Sequence, residues 1–244
     1  MKKFATLVLV LGVALTFSVG AFGADSPQFR GPARDGIFPE KGLLKSWPAE
    51  GPALVWKAEG IGRGYSSVAD VSGTIYVPGM LEAEQGYVFA LDENGKEKWR
   101  ATYGPETLEK QAPGSRATPT IDGDRLYIMS GRGVLTCMST KDGKQVWQED
   151  VRNKFNGMTT IWGFSESPLI DGDLVFATPG GPDAAVVALN KISGEAVWTS
   201  KGFGEASAYC SPVMFTFGAN KVLVTMTAKS VVGIDPKTGK VLWT

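Results

Sequence analysis

The sequence predicts an all-β protein, a β-propeller built from four-stranded antiparallel blades. Three observations predict this fold: a glycine-to-tryptophan motif that occurs four times, short alternating strands between aspartate–glycine turns, and no long helical period after the N-terminal segment. The 31 glycines and 14 prolines are typical of a turn-rich β protein. With 244 residues, the chain is long enough to bury a sizeable core.

The repeated motif places a glycine four residues before a tryptophan and a small residue nine or ten before it. The tryptophans recur at intervals of 48, 51 and 45 residues. The four copies are Ala90, Gly95 and Trp99; Cys137, Gly143 and Trp147; Ala188, Gly194 and Trp198; and Gly233, Gly239 and Trp243. Because an indole on the last strand of a thin sheet must reach the next sheet, the motif predicts radially stacked blades. We interpret the tryptophans as structural staples of the core.

Each repeat has room for four short strands. In the second repeat the predicted strands are 117–121, 125–129, 134–138 and 145–149, with aspartate–glycine turns that favour hairpins. We expect four complete blades at about 64–101, 115–150, 164–200 and 208–244. A fifth staple, Trp56, lies in segment 52–57, which we interpret as the closing strand of a blade whose other strands are absent.

The N-terminus predicts a cleavable secretory signal. Two lysines precede an apolar core at 7–17, and small residues follow, with cleavage expected after Ala21 or Gly23. An uncleaved anchor is the alternative, but the apolar run is broken short of the roughly 20 residues that span a bilayer. The predicted organisation is signal peptide 1–23, N-terminal extension 24–51 and propeller 52–244, in a periplasmic or secreted protein without a membrane span after cleavage.

Composition excludes several classes of function. Lysine plus arginine and aspartate plus glutamate both number 25, so no net charge favours nucleic acid as a partner. Histidine is absent, which excludes an imidazole base and the commonest zinc, copper and non-haem iron sites. Cys137 takes a small core position and Cys210 is placed on the first strand two blades later, so both are predicted to be free thiols. We predict no metal site from these residues.

The segment Ile-Asp-Pro-Lys-Thr-Gly-Lys-Val-Leu-Trp at 234–243 and its copies resemble the pyrroloquinoline-quinone (PQQ) repeat of the quinoprotein alcohol dehydrogenase-like β-propellers. Segments 28–36 and 64–67 are also similar to exported propellers of this group. The resemblance implies a ring of roughly seven or eight blades, of which this chain would supply the N-terminal half. We expect such an arc to associate with itself; a closed four-bladed propeller is the alternative.

The resemblance also implies that the segments leading into the innermost strands face an axial funnel where ligands bind. The residues predicted there are Arg63, Tyr65, Arg116, Trp162, Glu166 and Tyr209. Arginine forks suit carboxylates, so the funnel is interpreted as a polar, aromatic-lined site for an anionic or polyol ligand. The alternative is a water-filled channel lined by ordinary polar residues.

Two functions follow from the resemblance. The first is an exported binding or scaffolding propeller, with a protein partner or a small or polymeric ligand at the funnel. The second is a PQQ-dependent dehydrogenase of alcohols or polyols, which implies PQQ with Ca²⁺, an aspartate base and often an adjacent-cysteine disulfide. The chain has no adjacent cysteines, and among the funnel residues Glu166 alone suits the calcium position. We therefore favour the binding propeller and assign no catalytic residue.

Overall fold

The structure is a computed structural model that describes residues 24–107, 109–201 and 204–244. The predicted signal peptide, residues 1–23, lies outside the described residues. Within them the chain forms four separate four-stranded sheets, and in each sheet every strand pairs antiparallel with the next strand in sequence. The predicted all-β architecture of four-stranded antiparallel blades is confirmed.

The sheets take their strands in chain order. The first comprises β1 (Ala69–Val71), β2 (Thr74–Met80), β3 (Gln85–Asp92) and β4 (Glu97–Pro105). The second comprises β5 (Thr120–Asp122), β6 (Arg125–Met129), β7 (Val134–Ser139) and β8 (Gln145–Asp150). The third comprises β9 (Leu169–Asp171), β10 (Leu174–Ala177), β11 (Val187–Asn190) and β12 (Ala196–Thr199). The fourth comprises β13 (Val213–Phe217), β14 (Asn220–Met226), β15 (Val231–Ile234) and β16 (Val241–Trp243).

One helix occurs in the described part of the chain, the four-residue α1 (Val151–Lys154) after the second sheet. Its N-terminus is capped by Asp150, whose carboxylate accepts the N–H of Asn153 at 2.9 Å. Among the residues that the structure describes, no helix has the length and apolarity needed to cross a bilayer.

The innermost strand of each later sheet starts directly after a proline. Pro119 precedes β5, Pro168 precedes β9 and Pro212 precedes β13. Proline has no N–H to donate to a ladder, so pairing begins only after it. The sequence predicted that this strand begins at residue 117, and the proline explains why β5 begins at Thr120 instead. It also places Cys210 in the segment before β13, which corrects its assignment to a strand.

Each tryptophan of the motif lies directly opposite the small residue of its own sheet. The cross-strand pairs are Ala90 with Trp99, Cys137 with Trp147, Ala188 with Trp198 and Gly233 with Trp243. In all four sheets the register shifts immediately after this pair. The shift marks a β-bulge, which bends the strand that carries the indole. The predicted role of the small residue, to leave room for the indole, agrees with this register.

The same indole connects its sheet to the next one. Trp147 is buried, and its Nε1–H donates to the carbonyl of Lys191 in the third sheet at 2.9 Å. Its ring occupies the space where a side chain on Gly194 would begin, 2.8 Å from an ideal Cβ. Trp99 is joined to Thr140 and Gly143 in this way, and Trp198 to Pro236 and Gly239. The motif glycine is therefore the receptor for the preceding sheet's tryptophan.

Segment 52–57 forms no strand, which corrects the predicted closing strand. Within the described part of the chain, no strand pairs with this segment to complete a backbone ladder. Trp56 nevertheless takes the staple position on the first sheet: its Nε1–H donates to Glu93 O at 2.8 Å, and its ring covers Gly95. The Trp56 side chain therefore packs on the motif glycine of the first sheet, although the backbone around Trp56 is not a strand.

The core runs through successive sheets, and the last sheet is covered on one side. One cluster of buried side chains spans the first three sheets, and a second joins the third to the fourth. Several large apolar side chains of the fourth sheet are exposed, among them Phe215, Phe217, Leu242 and Trp243. Phe217 is 71% exposed, so this sheet presents an apolar surface to solvent.

Candidate functional site

A ladder of hydroxyl groups aligns the segments that precede the innermost strands. The N–H of Ser67 donates to Thr118 Oγ1 at 3.2 Å, the N–H of Thr118 to Ser167 Oγ at 2.9 Å, and the N–H of Ser167 to Ser211 Oγ at 2.9 Å. Each bond joins one sheet's segment to the next, so these four residues are equivalent positions around the axis. The ladder places the residues before them in register.

The residues two positions before the ladder converge on one concavity. These are Tyr65, Arg116, Ser165 and Tyr209, one from each sheet, and together with Ala112 and Trp162 they line a volume of about 340 Å³. We call Tyr65, Arg116, Trp162, Ser165 and Tyr209 the mouth site. Four of the six residues predicted for the funnel are thus brought together, whereas Ser165 was not predicted.

The polar groups of the mouth site are held by neighbouring backbone. Arg116 donates through Nη1 to Gly114 O at 3.0 Å and through Nη2 to Ala112 O. A guanidinium carries five N–H donors, so two such bonds leave it donors for a ligand. The hydroxyl of Tyr209 accepts the N–H of Trp162 at 3.0 Å, which fixes one aromatic residue against another.

The aromatic rings of the mouth site are open to solvent. Tyr65 is 64% exposed and Tyr209 is 47% exposed, while Trp162 and Arg116 are half-buried. Tyrosine and tryptophan combine a large apolar face with a polar tip, and arginine adds a planar cation. This arrangement suits a ligand or partner that stacks on the rings and presents an acceptor to the guanidinium.

Glu166 does not reach the mouth site, which corrects its predicted position. It follows Ser165 by one residue, and successive side chains of an extended segment point to opposite sides. It is buried, its Oε1 accepts the N–H of Thr178 at 2.7 Å, and its Oε2 has no hydrogen-bond partner among the described residues. Burial raises the pKa of Glu166 to about 7.

Arg63 also lies apart from the mouth site. Its backbone pairs with Met80, with N–H to O distances of 2.9 and 2.8 Å, and its exposed side chain lines a different concavity with Glu82 and Glu84. This pairing connects the segment to β2. The prediction that Arg63 faces the funnel is corrected accordingly.

Behind Arg116 lies a buried acid that the sequence pattern did not reveal. Glu106 accepts the hydroxyl of Tyr103 and, at 2.8 Å, the N–H of Gly131. Burial raises the pKa of Glu106 to about 7, although these bonds and the Arg116 charge favour its ionised form. The residue lies in an irregular segment after β4, where no strand alternation predicts its orientation.

The donor set of the mouth site does not fit a Ca²⁺ ion. Calcium takes roughly six to eight oxygen ligands, with carboxylates prominent among them. The mouth site contains no carboxylate, because Glu166 points away from it. Among the described residues no group of three or more histidine, cysteine, aspartate or glutamate side chains is placed to hold a metal. The calcium that the PQQ resemblance implies therefore has no ligand set here.

A family model for the PQQ_2 family, described as outer membrane protein assembly factor BamB, matches residues 84–244. This chain belongs to that PQQ-repeat family. The match includes the four motif tryptophans from Trp99 onward. The predicted relationship to PQQ-repeat propellers is confirmed.

The proteins that are similar in sequence to this chain have names that indicate different activities. The chain is 28% identical over 155 residues to quinoprotein alcohol dehydrogenase PedH of Pseudomonas putida, covering 59% of this chain and 24% of the relative. It is 25% identical over 134 residues to the outer membrane protein assembly factor BamB of Yersinia pestis, covering 53% and 32%. The chain spans 20% to 32% of the length of the curated relatives it matches.

A solved structure shares the fold. The quinohemoprotein alcohol dehydrogenase of Comamonas testosteroni matches with a TM-score of 0.64 at 18% identity, covering 90% of this chain and 40% of that one. At this identity the likeness shows the propeller fold alone.

Proposed function

We propose that this chain is an exported PQQ-repeat propeller that binds a protein partner at the mouth site and acts as a scaffold. One observation carries the proposal: equivalent positions before four successive sheets bring Tyr65, Arg116 and Tyr209 together with Trp162 in one solvent-open concavity. These three residue types dominate the energetic centres of protein interfaces. A small or polymeric anionic ligand would use the same rings and the same guanidinium.

Two further observations support the scaffolding role. One relative is by name an outer membrane protein assembly factor, a role that is consistent with the proposed scaffold. The basic start and apolar core of residues 1–23 are typical of a signal peptide, which supports a periplasmic or secreted location.

A PQQ-dependent alcohol dehydrogenase is the second candidate, because several relatives bear that name. Tyr65, Trp162 and Tyr209 are suitable to stack on a planar ring, and Arg116 is suitable to bind a carboxylate. The mouth site lacks carboxylates for Ca²⁺, so its own residues favour the binding function. Reconstitution of the protein with PQQ and Ca²⁺ and measurement of dye-linked alcohol oxidation separates the two candidates.

Site-directed photo-crosslinking in an exporting bacterial host tests partner binding. A photo-reactive amino acid replaces Tyr65 at the mouth site or, as a matched control, Asp124, whose side chain is 94% exposed on the hairpin at the far end of β5. We expect a discrete crosslinked species from position 65 and none from position 124. The species should be lost when Tyr209→Ala is added. Equal crosslinking from both positions, or none from either, would contradict the proposal.

A further inference from the structure

The segment between Ser26 and Gly36, here called the arm, contacts the innermost strands of the first two sheets and the chain that leads into those of the third and fourth. Ser26 exchanges backbone hydrogen bonds with Asp70 of β1, at 2.8 and 3.0 Å. The carbonyl of Pro27 accepts the N–H of Ile121 in β5 at 2.8 Å. The arm then reaches the third and fourth sheets through one side chain, that of Arg34. These contacts show that the arm lies along the innermost strands and not on the outside of the blades.

Arg34 is the most deeply buried charged residue of the arm, with 5% of its surface exposed. Its Nε–H donates to Pro212 O at 2.8 Å, and its Nη1 donates to Pro168 O and to Gln28 Oε1, each at 3.1 Å. Its Nη2 donates to Ser167 O. The planar fork thus bridges carbonyls of the third and fourth sheets, which a compact ammonium group cannot match in geometry.

The carbonyl groups that accept from Arg34 are held in place by contacts that do not involve Arg34. Ser167 is held in the hydroxyl ladder, and its N–H bonds to Ser211 in the adjacent sheet. Pro168 and Pro212 directly precede β9 and β13, so the two strand starts present their carbonyls to the axis together. Burial lowers the pKa of Arg34 only to about 10, and the Glu166 carboxyl adds an opposite charge when it is ionised. The guanidinium is therefore charged at neutral pH.

The backbone of the arm forms a tight loop around Arg34. Arg34 has φ of +60°, a left-handed conformation that non-glycine residues adopt at a cost. Its N–H donates to Gly31 O at 3.0 Å, and the N–H of Gly36 closes the loop onto Arg30 O at 2.9 Å. A tight loop of this kind persists only where the contacts around it compensate its strain.

We propose that the carbonyls of Ser167, Pro168 and Pro212 form an axial guanidinium-binding site that Arg34 occupies as a tethered ligand. The mouth-site residues Ser165 and Tyr209 lie two to three positions before these carbonyls, which is about 7–10 Å along an extended chain. The arm therefore binds the chain directly after the mouth-site residues Ser165 and Tyr209. This inference does not depend on which ligand or partner the mouth site binds.

Chemical rescue of the full chain tests the site. Arg34→Ala removes the guanidinium donor from the buried carbonyls of Ser167 and Pro212, whereas Pro168 O still accepts from the Thr120 hydroxyl at 2.6 Å, and we expect the thermal midpoint to fall by about 6–12 °C. Methylguanidinium at about 10 mM should restore at least half of that loss, because a ligand that binds only the folded state stabilises it. Arg30→Ala is the matched control, since Arg30 is exposed in the same arm and also left-handed, with φ of +66°. Methylguanidinium should not raise the midpoint of this control.

A second variant keeps the test decisive if Arg34→Ala does not fold. Arg34→Lys retains the positive charge without the planar guanidinium. Cys210 interacts electrostatically with Arg34, so the rate of its alkylation reports on displacement of the arm. We expect alkylation of Cys210 to be at least about threefold faster in Arg34→Lys than in Arg30→Ala, whereas the buried Cys137 remains slow. An unchanged midpoint in Arg34→Ala, a midpoint that methylguanidinium raises no more than in the control, or equal Cys210 rates would overturn the inference.

Discussion

Substitution of Gly194 tests the mechanical link between the second and third sheets. Gly194 has φ of +78°, and an ideal Cβ on it would lie 2.8 Å from the indole of Trp147. Alanine at this position incurs a left-handed cost of about 1–2 kcal/mol and an overpacking cost of about 1–3 kcal/mol. We therefore expect Gly194→Ala to lower the free energy of unfolding by about 2–5 kcal/mol.

The matched control lies in the same sheet. Gly172 has φ of +58°, and a Cβ built on it meets no atom within 4 Å. Gly172→Ala therefore carries the conformational cost alone, about 1–2 kcal/mol. Denaturant unfolding of both variants, followed by tryptophan fluorescence, measures the difference that belongs to the indole contact.

A double-mutant cycle assigns that difference to Trp147. Trp147→Ala removes a buried indole and one of the two donors to the Lys191 carbonyl, which keeps its bond from the Tyr127 hydroxyl at 3.0 Å, at a cost of about 3–5 kcal/mol. In that background Gly194→Ala should cost no more than Gly172→Ala, because the clash is gone. Equal costs for the two glycine variants in the unsubstituted chain, or an excess at Gly194 that persists without Trp147, would refute the staple mechanism.

Three further predictions concern pH, thiols and association. Because the pKa of Glu166 is raised from 4.5 to about 7, the folded chain binds more protons than the unfolded chain in that window, and stability falls as pH rises through it. Urea unfolding should show that, between pH 5 and pH 8, the free energy of unfolding falls by about 3 kcal/mol less in Glu166→Gln than in the unsubstituted chain. In the control Glu195→Gln, at an exposed position, it should fall as much as in the unsubstituted chain. Cys137 and Cys210 should each take one alkylating group in the unfolded, unreduced protein, and mass spectrometry that finds neither modified would contradict their assignment as free thiols. The exposed face of the fourth sheet should drive self-association that Phe217→Lys reduces, and light scattering that finds a monodisperse monomer before the substitution would disprove this.

The repeat made the fold predictable from the sequence. Spacing of Trp99, Trp147, Trp198 and Trp243 predicted one sheet per motif, and the small residue of each motif predicted the partner opposite the indole. Both are local features of a pattern that is repeated, so each copy supports the others. The receptor role of the motif glycine was not predicted, because it depends on contact with a neighbouring sheet and not on the turn itself.

The candidate site was predictable only in part. The position of Tyr65, Arg116 and Tyr209 followed from the segments before each innermost strand. In the third sheet the same reasoning predicted Glu166 and not Ser165. This error of one residue matters because adjacent side chains of an extended segment point to opposite sides. The hydroxyl ladder gives the correct alignment, but its members are serines and threonines without a distinctive spacing.

The arm shows what sequence patterns do not reveal. Arg34 lies 133 or more residues from the carbonyls it binds in the third and fourth sheets. Nothing local to residues 26–36 indicates that its guanidinium is buried and that of Arg30 is exposed. The pairing is set by where the innermost strands begin, and it becomes visible only when the sheets are assembled.

The affinity of the mouth site for its partner is the most direct test of the proposed function. Once the species crosslinked from position 65 is identified, its dissociation constant is measured for the unsubstituted chain, for Arg116→Ala and for a control in which Lys237, an exposed residue of the turn before β16, becomes alanine. If the mouth site is the energetic centre of the interface, Arg116→Ala should weaken binding by about 30-fold, equivalent to about 2 kcal/mol, and the control should bind normally. Unchanged affinity of a correctly folded Arg116→Ala protein would contradict partner binding at the mouth site.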